Sequence, residues 1–240
     1  MGYIVFRGVS TNDLTGVAIA KMPSHKKAGR RMTEYYIAGR DGAVHVDNGM
    51  ADIQIEATLV LLAQPAEARQ IVNAWADGTG KLVSSDQPGL AWKGTVIDEI
   101  RWGRVLGNKL PINNVPKDTF FDTAKITWTC GPYMYEAVDT VVEMSASGGL
   151  LNPGSAEALP LIQVNGSGDA SFSVNEEEIQ IASMTAGVPV YIDCDAGYVW
   201  TENSATSITG GFPVLQMGTN NIVLGSGVTS LVITPHWRWV

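Results

Sequence analysis

The chain has 240 residues, enough for one or two domains, and a formal net charge of −8 with only 17% charged residues, against about 25% in average globular proteins. Residues 1–135 contain 15 of the 16 Lys and Arg and 13 of the 24 Asp and Glu, whereas residues 136–240 contain one Arg and eleven acids. The two parts therefore carry +2 and −10. Because neutralised phosphates provide most of the affinity for nucleic acids, the acidic part is excluded as a nucleic-acid-binding domain.

Two further classes are disfavoured by the sequence. No apolar run reaches the roughly 18 residues of a membrane span, so we predict no membrane association. The two cysteines, Cys130 and Cys194, are too few for a disulfide scaffold or a four-ligand zinc site. Free thiols are expected in a protein made in a reducing cytoplasm.

The N-terminal region begins with a short predicted strand at residues 3–8 and continues into a strongly basic stretch at residues 21–31. Pro23 and Gly29 favour a loop there. Its five basic residues, with no acid among them, are Lys21, Lys26, Lys27, Arg30 and Arg31. Two interpretations stay open: an electropositive loop that contacts an anionic partner, or a solvated loop between strands, since like charges resist packing.

Strands and a single helix are predicted in the following segments. Apolar and polar residues alternate over residues 52–59 and 125–130, which is typical of half-buried strands. Residues 65–78 have the helical spacing i, i+3, i+4, i+7, with Pro65 suited to the first turn and Gly78 to the position after the end. The apolar positions of this helix are Ala68, Ile71, Val72 and Trp75. One helix among many strands predicts a sheet with a helix packed against it.

A domain boundary is predicted after residue 145. Turn-forming residues cluster over residues 145–155, and the charge balance changes sign in the same region. Beyond it, short alternating runs such as 171–175 and 178–181 occur without helical periodicity. Seven or eight short strands in this part of the chain are typical of a compact antiparallel β-sandwich.

Little in the sequence indicates catalysis or metal binding. The histidines have no second ligand at a metal-binding spacing, and the common nucleophile, phosphate-loop and zinc-protease motifs are absent. We interpret Glu176–Glu178 as a solvated turn, and Asp193 and Asp195 as the wet side of a strand, although two carboxylates at i, i+2 could share an ion. We predict no catalytic, cofactor-binding or metal-binding residues, and no cofactor.

Three tryptophans are candidates for a sugar-stacking platform. Trp237 and Trp239 alternate with His236 and Arg238, so they share one face if the segment is a strand. Trp200 is the third candidate. The same residues could instead belong to the core or to an interface, because buried aromatic residues dominate core energetics.

Two patterns in the chain carry a resemblance to a known family. The first joins the strand Tyr3–Gly8, the basic stretch and the segment Glu34–Ala43, which contains the turn Gly-Arg-Asp-Gly at residues 39–42. The second consists, in order, of Leu159–Gly166, Tyr191–Asp193, Phe212–Ile222 with its Phe-Pro-x-Leu start, and Ile233–Trp237. In their order, spacing and total length, these patterns resemble the distal tail protein, the tail-tip or baseplate hub, of long-tailed non-contractile bacteriophages (siphophages).

The resemblance implies a mainly β chain. It implies a tail-tube-like β-sandwich or split barrel with one helix at residues 1–145, and a galectin-like or carbohydrate-module-like antiparallel β-sandwich at residues 146–240. It also implies a structural virion protein without enzymatic activity, which forms a ring, expected to be a hexamer. The expected partners are copies of itself, the tail-tube protein, a tail-tip or tail-associated protein and a receptor-binding protein, with assembly in the bacterial host cytoplasm.

In such a ring, DNA would pass through the lumen without specific binding. We therefore expect a neutral or acidic lumen face and basic side chains that face protein. The candidate interface residues are Lys21, Lys26, Lys27, Arg30, Arg31 and Arg40.

Two alternative functions follow from other residues. The protein could be a carbohydrate-binding module protein that recognises host cell-wall glycans through Trp200, Trp237 and Trp239. A glycan-cleaving enzyme would need two carboxylates in a cleft; Asp193 and Asp195 could be near enough, but the sequence shows no distinction between an acid and a base.

Overall fold

The computed structural model describes residues 2–24, 27–62, 65–202 and 204–240. Within these ranges the chain is mainly β, with one α-helix and several antiparallel sheets, so the predicted fold class is confirmed. The chain divides into two compact units, Met1–Ala137 together with Val240, and Val138–Trp239. The division precedes the predicted boundary after residue 145, because the strand Val142–Met144 pairs with a strand of the second unit.

The first unit contains ten strands among its described residues. Their bounds are β1 Ile4–Phe6, β2 Val9–Ser10, β3 Val17–Ser24, β4 Arg30–Tyr36, β5 Ala43–Met50, β6 Ile53–Leu61, β7 Thr79–Ser84, β8 Leu90–Leu106, β9 Phe120–Cys130 and β10 Met134–Glu136. Antiparallel pairing gives a main sheet in the order β2-β1-β7-β8-β9-β6-β3, and β10 also pairs with β8. Strands β4 and β5 form a separate two-stranded sheet.

The helix α1 spans Pro65–Ala76 and covers one face of the main sheet, as the sequence predicts. Its apolar side, with Val72 and Trp75, is buried against the inward residues of β6 and β9, including Ile55 and Trp128. Gly78 follows the helix with a φ of 92°, a left-handed conformation that glycine adopts without steric penalty. The alternating residues of β6 and β9 therefore form a core on the helix side. On the other side, polar residues of β6 and β9 lie beside a smaller apolar cluster that includes Val60.

The second unit contains a further ten strands among the described residues. Their bounds are β11 Val142–Met144, β12 Gly148–Asn152, β13 Leu161–Gly166, β14 Gly168–Val174, β15 Glu177–Met184, β16 Val190–Asp193, β17 Tyr198–Thr201, β18 Gly218–Leu224, β19 Val228–Thr234 and β20 Arg238–Trp239.

Nine of these strands, all except β20, build two sheets, in the orders β11-β19-β13-β16-β17 and β12-β18-β14-β15. One apolar cluster receives inward side chains from both sheets, among them Phe172, Ile179, Ile192 and Ile233. The second unit is therefore an antiparallel β-sandwich, in which inward residues alternate with outward polar ones.

None of the sheets formed by the described residues closes into a barrel. Within the same ranges, no helix combines the length and the apolar character that a membrane crossing requires.

Candidate interaction surfaces

The β4–β5 ribbon is the most exposed element of the first unit. Every residue of β4 is exposed, including Tyr35 at 56% and Tyr36 at 80%, and Met32, Ile37 and Val46 are exposed as well. Tyr35 and Tyr36 are consecutive, so their side chains project from opposite faces of the ribbon. The ribbon thus presents apolar surface on both faces, which is unusual for a solvated hairpin.

The turn at the end of the ribbon contains the Gly-Arg-Asp-Gly motif. Gly39 and Gly42 have φ angles of 78° and 76°, which L-residues adopt only with strain. The two glycines therefore explain the reversal of the chain between β4 and β5. Arg40 lies in this turn and is exposed.

Among its described residues, the basic stretch predicted as a loop is strand at 21–24 and 30–31 and lies outside strands at 27–29. Lys21 lies in β3, and Arg30 and Arg31 begin β4. Arg30 Nη1 donates to Asp47 Oδ2 at 2.5 Å. Arg31 Nη2 donates to the backbone oxygen of Asn48 at 3.0 Å.

Of the other two lysines of this stretch, Lys27 lies in the connection before β4. Lys27 is exposed, whereas Lys26 lies outside the described residues. The described candidate interface residues therefore lie in three places: in β3, between β3 and β4, and in the β4–β5 ribbon with its turn. The arginines at the base of the ribbon stabilise its two strands through contacts with β5.

The face of the main sheet opposite the helix carries two charge pairs, and an apolar cluster that includes Val60, Leu110 and Ile112 lies on the same face. Lys125 Nζ lies 2.8 Å from Glu56 Oε1, and Arg101 Nε lies 2.7 Å from Glu99 Oε1. The hydrogen bond from Lys125 lowers the pKa of the Glu56 carboxyl, and that from Arg101 lowers the pKa of the Glu99 carboxyl. Both acids are therefore anionic at neutral pH, and these two pairs balance. Lys21, the cross-strand partner of Thr58, adds one basic residue to the same face.

A second charge cluster fixes the helix to the sheet. Asp122 is 4% exposed; its Oδ2 accepts from Arg69 Nη2 at 2.8 Å and its Oδ1 from Arg104 Nε at 2.9 Å. The hydrogen bond from Arg104 lowers the pKa of Asp122 against the opposing effect of burial. Arg69 also lies over the Trp102 ring, 5.1 Å from its centroid. This arrangement is a structural tie between α1, β8 and β9.

The three candidate tryptophans lie in different environments. Trp237 is 4% exposed and belongs to the core of the second unit, and Trp239 is half-buried against the same core. Only Trp200 projects from the outward side of a strand, since Val199 beside it points into the core. Trp237 and Trp200 therefore do not form one platform.

Trp200 instead belongs to a row of three aromatic rings on β16 and β17, which we call the aromatic row. Tyr191 is the cross-strand partner of Trp200, and their rings stack with centroids 5.4 Å apart and planes at 15°. Tyr198 stacks on Trp200 at 5.7 Å and 16°. Tyr198 is 51% exposed. The row lies at the edge of the five-stranded sheet, because β17 is its last strand.

The acidic clusters have local structural roles. Asp193 Oδ1 accepts hydrogen bonds from the backbone nitrogens of Asp195 and Ala196, both at 2.9 Å, so it closes the turn after β16. Glu177 accepts a short hydrogen bond from the backbone nitrogen of Gly211. Among the described residues, no group of three or more His, Cys, Asp or Glu could hold a metal ion.

The two cysteines are buried free thiols. Burial raises the pKa of Cys130 to about 11 and that of Cys194 to about 12. Both are therefore protonated at neutral pH and act as small apolar residues.

Comparison with solved structures identifies the fold. The Dit protein of phage SPP1, described as a paradigm of the hub adsorption apparatus in phages that infect Gram-positive bacteria, superposes with a TM-score of 0.73 at 13% identity. The alignment covers 100% of this chain and 100% of that one. The chain has the fold of the SPP1 Dit protein. The resemblance found in the sequence is thereby confirmed at the level of the fold.

Further comparisons are weaker. A chain of the phage P2 baseplate in its activated conformation with Ca gives a TM-score of 0.43 at 9% identity, covering 97% of this chain and 98% of that one. The strontium form of the same baseplate gives 0.41 at 9% identity, covering 97% of both chains. Neither score supports a structural argument. No protein-family model matches the sequence, and no curated protein matches it significantly.

Sequence reasoning missed two of the surfaces described above. The sequence alone does not identify Tyr191 and Tyr198 as neighbours of Trp200. Tyr191 lies two residues before Asp193, so the alternation that exposes Asp193 also exposes Tyr191. The charge pairing on the face opposite the helix was also missed. Its signal was the alternation of Glu56 and Thr58 with buried apolar residues on β6.

Proposed function

We propose that the protein is a structural component of a bacteriophage tail tip. In this proposal it forms a hexameric ring, or hub, that connects the tail tube to the tail-tip or baseplate proteins and to receptor-binding proteins. The observation that carries the proposal is the superposition on the SPP1 Dit hub protein over the whole length of both chains. A match that covers both units supports a shared role more strongly than a match to one β-sandwich would.

The β4–β5 ribbon supports association between copies of this chain. A two-stranded ribbon without a packed face is at best marginally stable in water, and this one carries an exposed tyrosine on each face. A contact that covers both faces would bury the apolar surface of Tyr35 and Tyr36. In a ring, a head-to-tail contact repeated by rotation closes the assembly without leaving such a surface exposed.

The face of the main sheet opposite the helix suits the wall of a passage for DNA. A DNA conduit must not retain phosphates, and affinity for phosphates comes from unneutralised Lys and Arg. On this face Lys125 and Arg101 are each paired with a carboxylate. We assign the face with these pairs to the lumen, and the basic residues Lys26, Lys27 and Arg40 to contacts with neighbouring proteins. Lys21, the cross-strand partner of Thr58, lies on the lumen face, where the Glu56 carboxylate attracts it.

The proposal is tested by the assembly state of the full chain. Negative-stain microscopy and sedimentation velocity of the purified protein over a range of concentrations should reveal six-membered rings. The double variant Tyr35→Ser/Tyr36→Ser should remain folded by circular dichroism but should no longer form rings. Phe120→Ser, which removes an exposed aromatic side chain from the main sheet, is the matched control and should assemble normally.

Two results would contradict the proposal. A wild-type protein that stays monomeric at every concentration, alone and with a tail-tip partner, would contradict the ring. Rings that form equally well from the double tyrosine variant would leave the hub intact but exclude the ribbon as its contact. A ring structure in which Lys26, Lys27, Arg30 and Arg31 line the bore would contradict the assignment of the lumen face.

A further inference from the structure

The aromatic row is a surface feature that the packing of the second unit does not require. Outward positions of a sandwich strand usually carry polar residues, whereas here Tyr191, Tyr198 and Trp200 all project outward from β16 and β17. Their inward neighbours Val190, Ile192 and Val199 already supply the core. The row therefore provides aromatic surface beyond what the sandwich needs for its own packing.

The exposed end of the row has the geometry of a stacking site. Trp200 lies between the two tyrosines, so one face of the Tyr198 ring meets Trp200 while half of Tyr198 remains exposed. Near-parallel planes hold the three rings in one orientation, which reduces the conformational entropy lost on binding. The electron-rich face of an aromatic ring attracts the weakly positive C–H groups of an apolar ligand face.

Polar side chains continue the same outward face next to the row. Gln163 is the cross-strand partner of Tyr191. Its Nε2 donates to Asn165 Oδ1 at 3.0 Å, and Asn165 Nδ2 donates to Ser230 Oγ at 3.0 Å. Amide and hydroxyl groups both donate and accept hydrogen bonds. An aromatic row beside such a chain matches a ligand with a C–H face and a rim of hydroxyl groups, which is a pyranose sugar.

The negative charge of the second unit favours an uncharged sugar over an anionic one. Residues 138–239 contain ten Asp and Glu and a single basic residue, Arg238. Like charges repel an anionic ligand over distances comparable to the Debye length. A glycan that carries phosphate or carboxylate groups would thus be disfavoured relative to an uncharged one.

We propose that the aromatic row, together with Gln163 and Asn165, binds an uncharged glycan on the outward face of the five-stranded sheet. The site differs from the platform predicted from the sequence, because Trp237 lies in the core and Tyr191 and Tyr198 take its place. It also goes beyond the proposed hub, since ring formation uses the first unit and does not require this face. Failure of one proposal therefore leaves the other standing.

Isothermal titration of the full-length protein with uncharged hexasaccharides tests the proposal. The probes are maltohexaose, cellohexaose, chitohexaose, a galactan hexasaccharide and a rhamnan hexasaccharide, with hexagalacturonate as the anionic comparison. At least one uncharged probe should bind with millimolar or tighter affinity, and at least tenfold more tightly than hexagalacturonate. Binding should also alter tryptophan fluorescence, because Trp200 lies within the site.

Substitutions then locate the site. Tyr198→Ala should weaken binding at least tenfold, whereas Tyr198→Phe, which keeps the ring, should remain within threefold of the wild type. If Tyr198→Ala unfolds, Tyr198→Thr, which removes the ring but keeps a residue of high β propensity, is the second variant and should also weaken binding at least tenfold. Leu151→Ala removes an exposed apolar side chain from the other sheet and should leave the affinity unchanged.

The outcomes that overturn the proposal are distinct. Absence of binding by all five uncharged probes at millimolar concentration would show that the row stabilises the sheet or contacts a protein. Preferential binding of hexagalacturonate would contradict the charge argument. Binding that is unaffected by both Tyr198→Ala and Tyr198→Thr would place the sugar elsewhere.

Discussion

The core of the first unit contains two tryptophans, one with a hydrogen-bonded indole N–H and one without. Comparing their substitutions measures what that hydrogen bond contributes to the free energy of unfolding. Trp75 and Trp128 pack edge to face, with ring centroids 6.2 Å apart and planes at 88°. The Trp75 Nε1 donates to the Val9 carbonyl oxygen at 3.0 Å. The Trp128 Nε1 is buried and has no acceptor among the described residues. We therefore predict that Trp75→Phe destabilises the protein more than Trp128→Phe.

The expected difference in the free energy of unfolding follows from the surroundings of the two indole N–H groups. Each substitution leaves a cavity, which costs about 1–2 kcal/mol in a packed core. Trp75→Phe also loses a hydrogen bond, about 1 kcal/mol, because the partly exposed Val9 carbonyl can bind water in its place. Trp128→Phe instead removes a buried unpaired donor, whose penalty is about 1–3 kcal/mol. The free energy of unfolding should therefore be lower for Trp75→Phe than for Trp128→Phe by about 2–4 kcal/mol.

Urea unfolding followed by far-ultraviolet circular dichroism measures both values. The denaturant dependence should stay unchanged, since neither substitution alters the surface exposed on unfolding. Trp237→Phe, in the core of the second unit, is the control for a transition that does not involve the first core. A Trp128→Phe protein that is as unstable as Trp75→Phe, or less stable, would refute the reasoning that the Trp128 N–H is a net penalty.

Three further predictions concern titrating and buried groups. Because the pKa of Asp122 is lowered in the folded state, its stabilisation is complete above the unfolded pKa of about 4 and is lost as the pH falls through the folded value. Urea titrations between pH 6 and pH 2 should show this loss in the wild type and a flatter profile in Asp122→Asn; identical profiles would contradict the assignment. Burial raises the pKa of Cys130 to about 11 and of Cys194 to about 12, so stability is complete below the unfolded thiol pKa of about 8.5 and should fall above it. Cys194→Ala should reduce that alkaline loss, and the native thiols should resist iodoacetamide at pH 8 until urea is added; rapid native alkylation would contradict their burial. Trp237→Ala should lower the free energy of unfolding by about 3–5 kcal/mol, whereas an effect below about 1 kcal/mol would show that this side chain is not in the core.

The sequence predicts the repetitive part of the fold well, because burial on one face imposes a period on the side chains. The alternation over residues 52–59 and 125–130 corresponds to β6 and β9, and the helical spacing over residues 65–78 corresponds to α1. The ribbon was harder, because β4 has no buried face and therefore no apolar period. Its basic residues suggested a loop, whereas backbone pairing with β5 makes it a strand.

The candidate site was predictable only in part. Trp200 was identified from its residue type, but Tyr191 and Tyr198 join it through the register between β16 and β17, which depends on tertiary pairing. Trp237 and Trp239 alternate as predicted, yet their shared spacing could not distinguish a core face from a wet one. Whether the face is buried depends on the position of the opposite sheet, which a local sequence pattern does not specify.

The exposed ribbon has a consequence for amide hydrogen exchange. The pairing of β4 with β5 is its only strand pairing among the described residues, so its amides open with a small local free energy while those of β6 and β9 open only with the core. In a free subunit, the ribbon amides should thus exchange first. In an assembly that covers both of its faces, the same amides should become protected, and the degree of their protection would report the fraction of subunits incorporated.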